Sequence, residues 1–582
     1  MIAPSPFWKE RSMIDLSAGV FSCFGSHLSV FAMHENAQNA NRGKTVDKNT
    51  GRVLSDVGLT PGFYFRNFIH RRDYETNLFA IETPLCENRC PRYTCTPEML
   101  DIREPDGFEL CYASAGTLLL QTACPLRIVC RHLSGEAANT QGAFTLFDKI
   151  NHYGLCISAV TGVLRATLAG TCVTLDLDAG CEIRIDESYD PVVRLAAVPS
   201  FYECVHAQRL DYERFLQKLP KALPGDEKLM ELAAYGLWSA MAFARGNYQR
   251  DCMLVSKNYM CGMWSWDHCF AALALAYVSP ERAWDQLMCM FDSQRGDGRI
   301  ADCIEAVKTV WDYVKPPIHG LTLRLLKQSI KLTPAQRREA YDRLSGWTMF
   351  WLNERDMKGD GLPEYLHGND SGWDNNTVFD RPGGIQSAEL PAYLILMIQE
   401  LEILAKELDA PALPLWQKRE ERLKAAMLKE LFADGVPIAR LADTHERVGM
   451  YSSLPYMAIT LGEELPWAFR QKMLRKLDDP CFLTPYGIAS EALNSPWYQP
   501  DGYSRGSIWS YGQFLPVVGL MRMKETEKAR KIMNGFLTCC RKGGFSECFS
   551  SKDGSGQRDR FLNWSVCVYV LFTAWLQEEQ PQ

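Results

Sequence analysis

The stretch HGNDSGWDNNTVFD, residues 367–380, puts three aspartates, three asparagines, a histidine and a tryptophan into fourteen positions. Asn, Asp, Gly and Ser are what turns are made of, so its composition is that of a polar loop. Its carboxylates also make it a candidate for acid chemistry. Three other segments share the mixture of carboxylate, aromatic and polar side chains: NYMCGMWSWDHCF (258–270), PDGYSRGSIWSYGQF (500–514) and KGGFSECFSSKDGSGQRDRFLNWS (542–565). The combined inventory suits cleavage of a glycosidic bond. One carboxylic acid protonates the leaving oxygen, and a second carboxylate acts on water or on the sugar carbon. Tryptophans offer flat apolar faces to sugar C–H surfaces, while Asn, Gln and Arg hold hydroxyls. Every one of these residues also has a plain structural reading: an Asp can cap a helix or organise an Asx-turn, a Trp can be a core pillar, and a loop Glu can simply be solvated. No glycine-rich phosphate loop, H-E-x-x-H pair or G-x-S-x-G elbow offers a different chemistry.

The four segments are far apart in sequence, so only a closed fold brings them together. At 582 residues, 47% apolar and 23% charged, the chain is expected to be a multi-domain globular protein. Residues from about 60 to 200 read as strands. In CVTLDLDAGCEIRID, Val173, Leu175 and Leu177 alternate before the turn DAG, and Cys181, Ile183 and Ile185 alternate after it, which predicts a hairpin. The segments 108–133 and 154–170 read similarly, and many short strands without intervening helices imply an antiparallel β-sandwich. The polar stretch 34–51 reads as a loop. After about residue 215 the period becomes helical. Thr333 and Pro334 open a helix whose apolar positions Tyr341, Leu344, Trp347 and Trp351 recur every three or four residues. About twelve such segments run to the C-terminus, with Asp-Gly connectors at 296, 359 and 433 that resemble one another, and repeated pairs of this kind suggest an (α/α)6 toroid. The expected division is a β-sandwich-rich region over 1–215 and an all-α (α/α)6 barrel over 216–582, with the loops at one end of the barrel forming a funnel.

A net charge of −7 without a basic stripe excludes nucleic acid as an expected partner. The N-terminus lacks a signal-peptide pattern, and the apolar run 564–576 is too short for a bilayer, so no membrane association is expected. With no leader, the 21 cysteines read as reduced thiols of a cytoplasmic protein. Cys86, Cys90 and Cys95 lack paired zinc-ligand spacing and read as structural. No metal or cofactor is required where two carboxylates move the protons. The expected partner is a small oligosaccharide or glycoside, and the oligomeric state is left open.

SGWDNNT, MWSWDHCF, KPPIHG, YSRGSIWSYGQF and FSECFSSKDGSG…FLNWS closely resemble, in order, motifs of glycoside hydrolase family 63. That group includes trehalases, mannosylglycerate hydrolases and processing-type α-glucosidases, and the resemblance covers roughly residues 225–578. It implies an (α/α)6 barrel and hydrolysis of α-glycosides with inversion. It also implies Asp374 as general acid, from the S-G-x-D-N motif, and Glu547 as general base, with Glu364 and Asp553 as its rivals. Trp266 and Asp267 match a pair lining the sugar site, and Arg505 and Trp509 match an R-G-x-x-W element beside the non-reducing sugar. Trp373, Trp564, His319 and Asp370 complete the expected substrate-binding set, with His319 and the tryptophans equally readable as packing. Asp267 and Arg505 could pair with each other or clamp hydroxyls. Asp370 and Asp380 are expected to raise the pKa of Asp374 by like-charge repulsion, with desolvation by Trp373. Where the family often reads E-S-G-W-D-N-S, Asp370 and Asn376 depart from the pattern, which bears on the sugar recognised. A short α-glucoside, an α-glucosyl disaccharide first, is the expected substrate, ahead of mannosylglycerate, glucosylglycerate or trehalose. An inverting phosphorylase and an inactive carbohydrate-binding protein are the competing functions.

Overall fold

The computed structural model describes residues 13–34, 44–46, 53–56, 59–68, 77–82, 90–102, 107–140, 142–189, 196–258 and 260–578. The first part of the chain forms two large antiparallel sheets. One has the order Leu28–Met33, Gly62–Asn67, Phe79–Glu82, Leu126–Cys130, Cys172–Leu177, Leu164–Ala169. The other runs Glu136–Thr140, Ala143–Asp148, Tyr153–Thr161, Glu182–Ser188, Thr117–Thr122, Phe108–Ser114, Leu100–Ile102, Tyr93–Cys95. Their apolar faces belong to one buried core, and Phe63 of the first sheet meets Phe108 of the second edge-on at 5.7 Å between ring centroids.

The expected hairpin across DAG does not form. Cys172–Leu177 pairs with Leu126–Cys130 and Leu164–Ala169, whereas Glu182–Ser188 pairs with Tyr153–Thr161 and Thr117–Thr122. The turn, with Gly180 at φ 74°, carries the chain from one sheet to the other. Val173, Leu175, Leu177, Cys181, Ile183 and Ile185 are nonetheless all buried in the shared core. Period-2 alternation fixes which face is buried, not which strand is the neighbour. The polar stretch 34–51 lies largely outside the described residues, except that Lys44–Val46 pairs with Val53–Asp56.

Helix formation begins earlier than the change of period near 215 suggests. Phe201–Leu216 is a helix, opened by Ser200, whose N–H donates to the Glu203 carboxylate at 2.9 Å. It packs on strand Phe108–Ser114 and on helix Glu227–Ala240, bridging sheets and helices. The S-x-x-E spacing of a capping box was its available signal.

From there the structure is helical, and the twelve expected segments each contain a helix. One of them, Leu454–Glu464, is a 3-10 helix interrupted at Gly462. Six segments pack in a cycle: Asp267–Leu275 on His319–Leu326, then Glu389–Glu407, Leu454–Glu464, Ser510–Arg522 and Asn563–Glu578, which returns to Asp267–Leu275. These helices are apolar nearly all round, and every residue of Asp267–Leu275 is buried. Leu413–Glu430, which packs on Glu389–Glu407 from outside the cycle, buries only Trp416, Leu423 and Met427. That contrast is what burial on every side, against burial on one face, requires. Among the described residues no helix is long and apolar enough to cross a membrane, and every described cysteine is a free thiol. Cys86 lies outside the described residues.

Candidate active site

The loop over 367–380 begins with a single helical turn, Gly368–Ser371, closed by Gly372 at φ 73°. A Cβ at Gly372 would lie 2.3 Å from the Trp266 indole, so glycine both adopts the left-handed turn and admits the tryptophan. Asn376 caps the next turn, accepting from the Val378 N–H at 3.2 Å. The capping role that Asp374 could have had is thus filled by another residue, and Asp374 stands half-buried between the two turns.

This loop is stitched to the segment 502–505. The Ser504 N–H donates to Asn375 Oδ1 at 2.9 Å, Asn375 Nδ2 donates to the Gly502 carbonyl at 3.1 Å, and Asn376 Nδ2 to the Ser504 carbonyl at 2.8 Å. Arg505 Nε donates to the Asn375 carbonyl at 2.9 Å, and its guanidinium is ion-paired with Asp380. Arg505 therefore braces the Asp374 loop and does not pair with Asp267.

Glu547 is 5% exposed. Its Oε1 accepts from the Tyr503 hydroxyl at 2.7 Å and its Oε2 from the Asp559 N–H at 3.3 Å. Its backbone is fixed as well: the Glu547 N–H donates to the Asp559 carbonyl at 2.7 Å, and Trp564 Nε1 donates to the Glu547 carbonyl at 2.9 Å. The same Tyr503 that holds Glu547 sits in the segment tied to Asn375 and Asn376, next to Asp374.

Tyr511 is the centre of an aromatic box. Its ring lies 4.6 Å from Trp266, 5.6 Å from Trp373, 5.3 Å from Trp509 and 5.8 Å from Trp564. Its hydroxyl donates to the Gly372 carbonyl at 3.0 Å. All four tryptophans singled out in the sequence surround this one tyrosine, and all four are buried, so they wall the box on its several sides.

The charges converge on the same place. Burial first, then the carboxylates of Glu547 and Asp374, hold the Tyr503 hydroxyl well above its usual pKa. Burial and then Asp374, with Asp267 and Glu547 also contributing, do the same to Tyr511. Asp267 is pushed up to about 7, mainly by burial, with Asp302 and Asp374 adding to the rise and Lys315 opposing it. Burial would lower the pKa of Lys315, but Asp302, Asp374 and Asp267 together leave it raised. Its ammonium lies 3.3 Å from Asp302 and donates to the Asn369 carbonyl at 2.6 Å.

Two expected substrate-binding residues are placed elsewhere. Asp370 is 1% exposed, and its two oxygens are taken by the Val314 N–H at 3.0 Å, the Leu366 N–H at 2.9 Å and Arg355 at 2.9 Å. It is a strut that fixes the loop. Asp370 is paired to Arg355 and Asp380 to Arg505, while the charge of Asp374 adds to the raised pKa of Asp267. His319 is 0% exposed and packs against His268, Phe291 and Trp347 rather than the aromatic box. Sequence reasoning passed over Tyr503, Tyr511, Lys315 and Asp302. The first three lie inside the motifs YSRGSIWSYGQF and KPPIHG, and Asp302 lies in a connector read only as a turn.

A family model for the mannosylglycerate hydrolase MGH1-like glycoside hydrolase domain matches residues 260–565, more than half of the chain. The chain belongs to this family. The MGH1-like domain contains every residue of the aromatic box and both candidate carboxylates, while the two large sheets lie outside it. Among curated relatives, mannosylglycerate hydrolase MGH2 of Selaginella moellendorffii is 22% identical over 420 residues, 57% of this chain and 83% of the relative. Mannosylglycerate hydrolase of Rubrobacter radiotolerans is 23% identical over 396 residues, 53% and 89% of the two chains. The crystal structure of a GH63 mannosylglycerate hydrolase from Thermus thermophilus in complex with glucose matches 59% of this chain and 98% of its own, with TM-score 0.52 and 19% identity. This MGH1-like protein is accordingly a glycosyl hydrolase of the family 63 kind.

Proposed function

We propose that the protein hydrolyses a short α-linked glycoside with inversion at the anomeric carbon, Asp374 acting as general acid and Glu547 as general base. The supporting observation is that Tyr503 joins the two residues. It donates to Glu547, lies in the segment bound to the asparagines that follow Asp374, and feels the charge of both carboxylates. In this reading Asp374 protonates the leaving oxygen while Glu547 takes a proton from a water on the opposite sugar face, across a gap of about 6.5–9.5 Å. Asp267, its carboxyl held partly protonated near neutral pH by burial, donates to or accepts from a sugar hydroxyl beside Trp266. The cycle of six packed segments supports an (α/α)6 toroid over 216–582 with these loops at its mouth, preceded by a β-sandwich over 1–215 that ends in the helix Phe201–Leu216.

A neutral α-glucoside is the first reading of substrate, because Lys315, the cation on which Asp267 and Asp374 act, is already paired with Asp302 and is not free for an anionic group. The second reading is mannosylglycerate, favoured by the names of the relatives. Asp374→Asn and Glu547→Gln are each expected to lower kcat by roughly 10²–10⁴-fold on the responsive substrate of a panel of α-glucosides and glycosylglycerates, with melting temperature unchanged. Near-wild-type turnover in either variant would remove that residue from the mechanism.

A further inference from the structure

We propose that His268, Cys269 and His319 form a buried site for a soft, thiophilic cation, best matched by Cu(I), between the helices that begin at Asp267 and His319. Among the described residues these three are grouped so that one ligand atom from each lies within 4.8 Å of the others. His268 Nε2 is 3.9 Å from Cys269 Sγ, and the two imidazole rings are 5.0 Å apart. A three-coordinate centre with bonds of about 2.0–2.3 Å separates its ligand atoms by roughly 3.5–4 Å, so the side chains need close only slightly.

Two further observations point to a ligand. His268 Nδ1 sits 3.1 Å from the Trp264 carbonyl. With Nδ1 engaged there, Nε2 is the ring nitrogen turned toward Cys269, and the Leu287 backbone also bonds the ring, so two backbone groups fix its orientation as they do for a metal-binding imidazole. His319 is fully buried, yet neither ring nitrogen makes a hydrogen bond; the Ser265 backbone approaches it without bonding geometry. It is the one described side chain with two such atoms. A buried imidazole left in this state is costly unless something coordinates it.

The donor set selects the ion. Two neutral imidazoles and one thiolate carry a single negative charge, which a monovalent cation cancels and a divalent one exceeds. Phe291 and Trp347, with ring centroids 5.2 Å and 6.1 Å from that of His319, give the site apolar walls that disfavour strongly hydrated cations. On binding, the thiol proton leaves to solvent and the sulfur bonds the ion, with no change of oxidation state. The site is separate from the proposed acid and base, and the inference does not depend on their roles.

The test is anaerobic loading of the reduced full-length protein with Cu(I), a challenge with bicinchoninate as competitor, and X-ray absorption of the retained copper. One equivalent should remain per chain with a shell of two imidazole nitrogens and one sulfur. Cys269→Ser and His319→Gln should each weaken retention at least tenfold, their folding being checked by thermal melts. Release of all copper to the competitor, a sulfur-only shell, or unchanged retention in both variants would overturn the proposal. If a variant does not fold, the absorption spectrum of the unmodified protein decides by itself.

Discussion

Asp374 and Asp370 are the same residue type four positions apart in one loop, and their surroundings give them opposite tasks. Asp370 is saturated by two backbone N–H groups and Arg355, whereas Asp374 is left half-buried beside Tyr503, Tyr511 and Asp267. Nothing in the local sequence distinguishes them, because the partners of Asp370 include Val314 and Arg355, outside the loop. Asp267 shows what such a site costs in stability. Its pKa in the folded protein, about 7, exceeds the ordinary carboxylate value of 3.8, so the folded state retains a proton that the unfolded state releases. The stability this contributes is fully present below about pH 4 and is lost as pH rises through about 7. Asp267→Asn should therefore abolish part of the fall in melting temperature between about pH 5 and pH 8, while lowering kcat/KM. An unchanged pH dependence of melting would show that Asp267 is not held protonated. Tyr503, a non-glycine residue at φ 61°, carries backbone strain at the point where it touches Glu547, a placement common at functional sites.

At the scale of elements, the loop 367–380 and the segment 502–505 behave as one unit. Asn376 both caps the turn Thr377–Phe379 and donates to the Ser504 carbonyl. Asn376→Ala should cost about 1 kcal/mol through the lost cap. It should also reduce kcat by about tenfold as the Tyr503 segment loosens, with little change in KM. A stability loss without any effect on kcat would show that the stitching is structural only. The helices were legible because a 3.6-residue period and cap residues such as Thr333 act locally; Thr333 Oγ1 accepts from the Gln336 N–H at 3.2 Å as the sequence predicts. The sheets were legible only in part. Alternation in CVTLDLDAGCEIRID identified the buried face of both strands correctly, but pairing is a long-range choice, and the chain crosses between sheets at DAG. The aromatic box was legible in its tryptophans but not in Tyr511 at its centre, because nothing within a quoted motif says which of its residues the others converge upon.

At the scale of the whole molecule, the sheets reach the candidate base through a short relay. Arg66, on strand Gly62–Asn67 and buried, donates to the Asn258 carbonyl at 2.5 Å. Asn258 Nδ2 donates to Asp559 Oδ1 at 3.1 Å, and Asp559 brackets Glu547. Arg66 and Asn258 lie outside residues 260–565, which the family model matches, so this relay draws on a part of the chain beyond that match. Arg66→Met should lower kcat by about tenfold through misplacement of Glu547 while leaving KM nearly unchanged. Unchanged kcat with a lowered melting temperature would reduce the relay to a structural seam. How the two carboxylates divide the reaction is reported directly by the anomer first released. A proton NMR time course on the responsive α-glycoside, run without phosphate, should show the β-anomer of the free sugar before mutarotation. The α-anomer appearing first, or turnover only when phosphate is added, would contradict inverting hydrolysis by Asp374 and Glu547.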